Sequence, residues 1–269
     1  MLLYFWMKGF GLNNNLPICI EPHIFLINNT QYKMHIKDLP RISNADVKKT
    51  NFNYLHYKSL NSDLKTFIKE YANGHLVDIG CGNKPFEKEI LENCTKYTGC
   101  DIVQSSLQKV DLICDATCIP LPSKEYDTVF CTQTIEHIAD HQQVINEAFR
   151  LLKSEGILIL SGPLYWPLHE EPNDYFRFTK YGYEHILKKT GFSIIIIKEN
   201  GGMWATSGQS LIHSLINSKS QVIFLRIWRF LFFKCKLFRI HNSFFSWLDK
   251  IDYNPVNTMN YVVVAKKTF

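Results

Sequence analysis

Residues 74–82 read Gly-His-Leu-Val-Asp-Ile-Gly-Cys-Gly, and this stretch determines the predicted architecture of the chain. Its central residues are apolar and partly β-branched, which predicts a short buried strand. Gly80 and Gly82 then interrupt the strand and let backbone N–H groups approach a ligand that a side chain would block. The stretch therefore predicts a strand, a glycine loop and a helix at about 86–92.

Asp78 is the unusual residue of this stretch because it places a carboxylate beside the glycine loop. A loop that binds pyrophosphate needs donors and cations at a helix N-terminus, and a carboxylate opposes that arrangement. The loop is also only Gly-x-Gly, without the third glycine of the dinucleotide fingerprint. The sequence therefore favours a cationic ligand over NAD.

Segments typical of strands alternate with segments typical of helices on both sides of this unit. Apolar runs that helices separate are typical of a parallel sheet covered on both faces. Helices are predicted at 54–71, 86–93, 140–153 and 179–189, and strands at 76–79, 97–103, 112–114, 127–132, 157–161, 192–197 and 260–266. The sequence thus predicts an α/β fold with a doubly wound sheet of seven strands.

Three aspartates, Asp78, Asp101 and Asp115, lie at the carboxyl ends of the first three predicted strands. In a doubly wound sheet the ligand binds outside the carboxyl ends of the strands. Asp101 lies about twenty residues beyond the glycines, the spacing at which a carboxylate accepts both ribose hydroxyls. Asp115 and Ala116 are placed to receive an adenine amino group. A lone aspartate at a strand end is usually a cap or turn residue, but three in order favour a nucleoside site.

These motifs resemble those of class I S-adenosylmethionine-dependent methyltransferases, over about 55–200 and the last strand. The matching segments are 77–82, Asp101, Asp115, 119–122, 126–129 and 135–137. The resemblance implies a Rossmann-like three-layer sandwich whose mainly parallel sheet has an antiparallel last strand, with S-adenosylmethionine as the cofactor. The positive charge of its sulfonium group would explain the acidic rim of the site.

The resemblance also implies the residues that contact the cofactor. The glycine loop approaches its methionine portion, with Asp78 near the cationic end, and the residues after the fourth strand flank the methionine portion. The expected set is Asp78, Gly80, Cys81, Gly82, Asp101, Ile102, Asp115, Ala116, Thr132 and Gln133.

Two further segments supply candidate catalytic residues. His137 follows the fourth strand, where its imidazole would polarise or deprotonate a hydroxyl, or else fix the loop by local hydrogen bonds. Residues 162–179 follow the fifth strand and are expected to arch over the cofactor as a lid. The candidates in the lid are His169, Asp174, Tyr175 and Arg177. The alternative is an ordered structural loop in which Arg177 pairs with Asp174.

The lid sequence is similar to that of bacterial methyltransferases encoded among surface-polysaccharide biosynthesis genes. This similarity implies O-methylation of a saccharide or glycolipid-type acceptor, with His169 or His137 as the base. One alternative is methylation of another small molecule, such as a quinone precursor or a lipid. Another is a cofactor-binding partner subunit without turnover.

Residues 203–254 differ from the rest of the chain in composition. No Asp or Glu occurs from Met203 to Leu248, whereas lysines and arginines interrupt aromatic and aliphatic runs. No uncharged run reaches ~18 residues, so a membrane-spanning helix is not expected. Two interpretations of this segment follow. In the first, residues 203–250 form a basic amphipathic surface that lies on an anionic membrane. In the second, the segment is a helical cap over the active site or a dimer surface. Nucleic acid is disfavoured because the basic residues are not clustered.

The remaining expectations concern the whole chain of 269 residues, whose net charge is +5. Its eight cysteines form no Cys-x-x-Cys pair and no secretion signal accompanies them, which favours reduced thiols, a cytoplasmic location and no metal site. The predicted organisation is an N-terminal extension of uncertain structure at 1–53, a methyltransferase domain at 54–202 and 255–269, and a helical insertion at 203–254.

Overall fold

The computed structural model of the protein describes residues 42–234 and 237–268. The strands are β1 (Gly74–Ile79), β2 (Cys94–Asp101), β3 (Leu112–Ile113), β4 (Tyr126–Thr132), β5 (Leu152–Pro163), β6 (Phe192–Asn200) and β7 (Asn260–Lys267). The helices are α1 (Tyr54–Tyr71), α2 (Glu87–Asn93), α3 (His141–Leu151), α4 (Lys180–Thr190), α5 (Met203–Asn217), α6 (Ile223–Lys234) and α7 (Phe238–Ile251). A 3₁₀ turn, Ile135–His137, follows β4.

The strands form one seven-stranded sheet in the order β3-β2-β1-β4-β5-β7-β6. The pairings from β3 across to β5 are parallel, and β7 pairs antiparallel with both β5 and β6. The predicted α/β fold with a mainly parallel sheet and an antiparallel last strand is confirmed. The strand order reverses between β1 and β4, so a ligand crevice is expected at the carboxyl ends of these two strands.

Helices cover both faces of the sheet because alternate residues of each strand point to opposite faces. Val77 and Ile79 of β1 pack in one apolar cluster with the inward residues of α3. Leu76 packs in a second cluster with Leu64 and Ile68 of α1. The strand that precedes the glycine loop is therefore fixed from both sides.

Helix α4 begins and ends one residue later than the predicted 179–189. The Thr179 hydroxyl accepts a hydrogen bond from the Gly182 backbone N–H, and Gly191 ends the helix with φ of 103°. By contrast, β5 begins at Leu152 rather than at 157. Residues 153–155 are polar and exposed, so the apolar run alone did not indicate the start of this strand.

The stretch predicted as a helical insertion contains α5, α6 and α7. The Asn242 amide of α7 donates to the carbonyls of Lys49 and Asn51, just before α1. The Gln209 amide of α5 donates to the carbonyl of Phe52. In α6, by contrast, Phe232 is the only buried residue. Two of the three helices thus pack on the N-terminal side of α1, whereas α6 is largely exposed.

Three further expectations, on the N-terminal extension, the cysteines and membrane spans, can be compared with the described part of the chain. Of the predicted N-terminal extension, residues 1–41 lie outside the described part, and 42–53 contain turns without a helix or strand. The free cysteines are Cys81, Cys94, Cys100, Cys114 and Cys131. No helix in the described ranges is long and apolar enough to cross a membrane.

Candidate active site

Two adjoining cavities open where β1, β2 and β4 end. The smaller has a volume of about 590 Å³ and the larger about 780 Å³. Both are lined by Gly80, Gln133, His137, Glu170 and Glu171, so they meet at the ends of β1 and β4 under the lid. This is the crevice that the strand order predicts.

Asp101 ends β2 on the wall of the smaller cavity, and its side chain is buried. The backbone N–H of Gly82 donates to its Oδ2 at 3.0 Å, and that of Val103 to its Oδ1 at 3.4 Å. These bonds fix the carboxylate at the strand end. Because each carboxylate oxygen has two lone pairs, the group can also accept hydrogen bonds from ribose hydroxyls.

The rest of the smaller cavity suits a flat nucleobase. Ile102 and Ala116 contribute apolar surface to its wall, and the Ile102 side chain is 53% exposed. The Asp115 carboxylate accepts hydrogen bonds from the backbone N–H and the hydroxyl of Thr117 at 2.8 and 2.7 Å. A fixed carboxylate beside exposed aliphatic surface matches the ribose and adenine of a nucleoside.

Gly80 requires glycine for two structural reasons. Its φ is +78°, in the left-handed region, and an added Cβ would lie 2.2 Å from the Thr134 hydroxyl oxygen. The backbone N–H groups of Gly80 and Cys81 both donate to the carbonyl of Cys100, at 2.9 and 3.0 Å. The loop is therefore held close to β2 and to the segment that follows β4.

Asp78 lines the larger cavity and is buried. The Tyr97 hydroxyl donates to its Oδ2 at 2.5 Å. Burial raises the pKa of the Asp78 carboxyl to about 7, although the hydrogen bond from Tyr97 and the charge of Lys84 act in the opposite direction. A cationic ligand in this cavity would stabilise the ionised carboxylate.

The other predicted cofactor residues lie nearby. Cys81, Gly82 and Thr132 line the larger cavity, and Gln133 lines both. Burial raises the pKa of the Cys81 thiol, which keeps it protonated. The Gln133 amide donates to the Ser161 hydroxyl at 3.2 Å. All ten residues predicted to contact the cofactor therefore line one cavity or the other.

His137 stands in the 3₁₀ turn after β4. Its Nδ1 lies 2.7 Å from the carbonyl oxygen of Asn173, and its Nε2 lies 3.8 Å from Oε1 of Glu136. The Glu136 side chain is 1% exposed, and neither carboxylate oxygen has a hydrogen-bond partner among the described residues. Burial raises the pKa of Glu136 to about 8. Glu136 was not among the catalytic residues predicted from the sequence.

Asp174 and Arg177 form a bidentate ion pair inside the lid. The Arg177 guanidinium donates to the two carboxylate oxygens at 2.6 and 2.8 Å. Burial would raise the pKa of Asp174, but the hydrogen bonds from Arg177 and from the His169 backbone N–H lower it to about 2. Neither Asp174 nor Arg177 lines a cavity. This is the pairing that the structural alternative for the lid predicts.

His169 depends on that pair for its position. Its Nδ1 lies 3.3 Å from Oδ2 of Asp174, and its ring lies 4.6 Å from the His137 ring, between centroids. Burial, together with the neighbouring His137, lowers the pKa of His169. Tyr175, the remaining candidate, lines the smaller cavity, and its backbone N–H donates to the Glu136 carbonyl at 2.8 Å. The two histidines thus meet, while Tyr175 lies on the side of the smaller cavity.

Aromatic side chains on one wall of the larger cavity were not predicted from the sequence. The centroid of the His56 ring, in α1, lies 4.2 Å from the centroid of the Trp166 ring, in the lid. The Trp166 ring in turn contacts His213 of α5 at 4.7 Å. Burial lowers the pKa of His56 to about 3, so this imidazole is neutral. Because these residues come from three distant segments, no local pattern indicated that they meet.

Comparisons with known proteins agree with this geometry. Residues 77–160 match a family model described as a methyltransferase domain. The 27-O-demethylrifamycin SV methyltransferase of Amycolatopsis mediterranei is 30% identical over 111 residues, which cover 36% of this chain and 41% of that protein. The ubiquinone biosynthesis O-methyltransferase of Psychrobacter cryohalolentis is 24% identical over 139 residues, covering 46% and 52%. The chain therefore spans about half or less of these curated relatives.

Among solved structures, the [4+2]-cyclase SpnF aligns with a TM-score of 0.51 at 16% identity, covering 79% of this chain and 83% of that one. At this identity the likeness shows the fold alone. Residues 77–160 are thus similar to a methyltransferase domain, and the cofactor prediction, S-adenosylmethionine, agrees with that match. The fixed Asp101 carboxylate, the buried Asp78 and the apolar walls of the smaller cavity fit this cofactor.

Proposed function

We propose that the protein is an S-adenosylmethionine-dependent O-methyltransferase. The observation that carries the proposal is the meeting of two cavities at Gly80 and His137, with the nucleoside-type wall at Asp101 on one side and the histidines on the other. When bound, the cofactor supplies a methyl group on a positively charged sulfur. The chain must then hold an acceptor oxygen in line with that group and lower the pKa of its hydroxyl.

His137 and His169 are the residues proposed to act on the acceptor hydroxyl. His169 lines the larger cavity and His137 lines both, and their rings are in contact. A neutral imidazole polarises or deprotonates a hydroxyl at neutral pH, and the depressed pKa of His169 keeps that ring neutral. Asp174 orients His169, and Arg177 holds Asp174, so these two are positioning residues.

The acceptor is proposed to be a ring compound with a hydroxyl group, which would occupy the larger cavity. Leu60, Leu64 and Trp166 give this cavity apolar and aromatic walls, which suit a phenolic or quinone-type ring. The names of the two relatives, one of which concerns ubiquinone biosynthesis, favour this class. A saccharide is the second candidate, because the Trp166 ring offers a face on which a sugar could stack, although the comparisons add nothing in its favour.

Substitution of His169 tests the proposal. A panel of phenolic and saccharide acceptors is first assayed by the formation of S-adenosylhomocysteine. His169→Ala should then lower turnover by roughly 10²–10⁴-fold with the cofactor affinity unchanged. His185→Ala, at an exposed histidine of α4, is the matched control. Equal loss of turnover and cofactor affinity in His169→Ala would assign His169 a structural role, and no transfer to any acceptor would contradict the function.

We further propose that α6 and α7 attach the protein to the cytoplasmic face of an anionic membrane. Large apolar side chains are exposed in α6 (Ile223, Phe224, Ile227, Trp228, Phe230 and Phe233) and in α7 (Ile240, Phe244, Trp247 and Ile251). Exposed basic residues lie among them: Arg226, Lys234, Arg239 and Lys250. Apolar surface mixed with positive charge is complementary to anionic lipid. Such a location would bring an apolar acceptor to the site.

A further inference from the structure

Glu136, His137 and His169 form a cluster beside the two cavities, in which the histidines line cavity walls and the buried Glu136 lies behind them. Each offers one ligand atom, and the three atoms lie within 4.8 Å of one another. Glu136 and His137 are fixed by the turn after β4, whereas His169 comes from the lid. The sequence predicted no metal site, because these residues show no ligand spacing that a linear pattern reveals.

The Glu136 carboxylate is the second observation that points to a ligand. Its side chain is 1% exposed, and both oxygens lack a hydrogen-bond partner among the described residues. The nearby Tyr183 hydroxyl is also buried and forms no hydrogen bond to a described residue. A buried polar group without a partner is costly. A cation beside Glu136 would supply the missing partner.

Both histidines direct Nδ1 at a hydrogen-bond acceptor, which leaves Nε2 for another partner. The partner of His137 Nδ1 is a backbone carbonyl, that of Asn173, which only accepts hydrogen bonds, so Nδ1 is the donor. The partner of His169 Nδ1 is the Asp174 carboxylate, which Arg177 holds in a bidentate pair, so this Nδ1 is likewise the donor. Histidines that bind metals typically donate their other N–H to a carbonyl or carboxylate in this way.

We propose that Glu136, His137 and His169 bind a divalent transition-metal ion of the Zn²⁺, Co²⁺ or Mn²⁺ type. One carboxylate and two imidazoles form a ligand set for such ions that leaves coordination positions open. Bonds of about 2.0–2.2 Å require the ligand atoms to approach one another, and the lid is the element that would carry His169 inward.

This site would deepen the proposed function, on which its catalytic role rests. An open coordination position would bind the acceptor oxygen and lower the pKa of its hydroxyl, whose proton would leave to water. The imidazoles would then act through the ion rather than as direct bases. Metal binding itself requires neither the cofactor nor an acceptor and is measured without them.

The test uses the full chain without a histidine tag, freed of metal by a chelator. Titration with Co²⁺ is followed by visible absorption and by calorimetry, and Zn²⁺ is added in competition. One ion per chain is expected, and Glu136→Gln and His169→Ala should each weaken Co²⁺ binding at least tenfold. Asp174→Asn, which removes the charged partner of His169, should weaken binding by about 10–100-fold. His185→Ala is the control and should bind as the unsubstituted protein does.

Circular dichroism of each variant verifies folding, and His169→Ala tests the site from the lid if Glu136→Gln does not fold. Absence of Co²⁺ and Zn²⁺ binding, or equal binding by His169→Ala and the unsubstituted protein, would overturn the metal proposal. Methyl transfer that persists in metal-free protein would overturn the catalytic role of the ion but not the proposed function. Metal binding without transfer to any acceptor would support the site and contradict the function.

Discussion

At the scale of a single residue, Asp78 is expected to make the affinity for the positively charged cofactor depend on pH. Its pKa of about 7 in the ligand-free protein means that the carboxyl is largely protonated below that value. A cationic ligand favours the ionised form, so binding of S-adenosylmethionine must be accompanied by proton release at low pH. Affinity for S-adenosylmethionine should therefore rise as the pH increases through about 7.

The ratio of two affinities isolates this effect. S-adenosylhomocysteine carries no charge on sulfur, so its affinity should change less over the same range. We expect the affinity ratio of S-adenosylmethionine to S-adenosylhomocysteine to increase from about pH 6 to about pH 8, and Asp78→Asn to make the ratio independent of pH. Titration calorimetry at several pH values measures both. A ratio that does not change with pH in the unsubstituted protein would mean that Asp78 does not act on the sulfonium.

The residues around β1 were predictable because each belongs to a local pattern. Gly80 adopts a left-handed backbone conformation that favours glycine, and Asp101 ends a strand at a characteristic distance in sequence from the glycines. Both positions could therefore be predicted from the sequence alone. Glu136 was not predicted as a site residue, although it adjoins His137. Its burial without a partner depends on β5 and α4 packing around it, and neighbours in sequence give no sign of that packing.

At the scale of the element, the lid is stabilised by the pair of Asp174 and Arg177. Arg177→Met leaves the Asp174 carboxylate, whose side chain is 2% exposed, without its bidentate partner. We expect the free energy of unfolding to fall by about 2–3 kcal/mol, less than for a fully buried pair because Arg177 is 23% exposed. Denaturant unfolding measures this loss.

A double-mutant cycle with Asp174→Asn checks the cause. The double variant should lose less stability than the sum of the single variants, since no unpaired charge remains. Cofactor affinity should stay close to that of the unsubstituted protein, because neither residue lines a cavity. Additive losses would mean that the two side chains stabilise the lid independently.

The contacts of the lid with distant helices could not be predicted from the lid sequence, although a contact within the lid could. The pairing of Asp174 with Arg177 was one of the two sequence interpretations of the lid, and the structure contains it. The contacts of Trp166 with His56 and His213 join the lid to α1 and α5, which are far away in the chain. Only the packing of the insertion on α1 brings those rings together.

At the scale of the whole molecule, the composition of residues 203–254 indicated helices but not which of them pack. The structure places α5 and α7 against the N-terminal side of α1 and leaves α6 largely exposed. Ile223 and Phe224 are 66% and 60% exposed, and contiguous exposed apolar surface of this kind marks interaction sites. The proposed membrane contact belongs to this surface.

Vesicle co-sedimentation tests that contact. The protein should bind phosphatidylglycerol vesicles, bind phosphatidylcholine vesicles less, and dissociate progressively with added salt. The variant Phe224→Ser with Trp228→Ser should lose binding, whereas Leu91→Ser, at an exposed leucine of α2, should retain it. Absence of binding at low salt would contradict the proposal. Self-association that the same double variant abolishes, without vesicle binding, would assign the surface to a second copy.

The most direct measurement is a calorimetric titration of the full chain with S-adenosylmethionine and, separately, with NAD. We predict micromolar binding of S-adenosylmethionine and no binding of NAD. Asp101→Asn should weaken binding by about 1–3 kcal/mol through loss of a charge-assisted hydrogen bond to ribose, while Glu92→Gln, at an exposed position of α2, should leave it unchanged. Binding of NAD, or of neither ligand, would contradict the account.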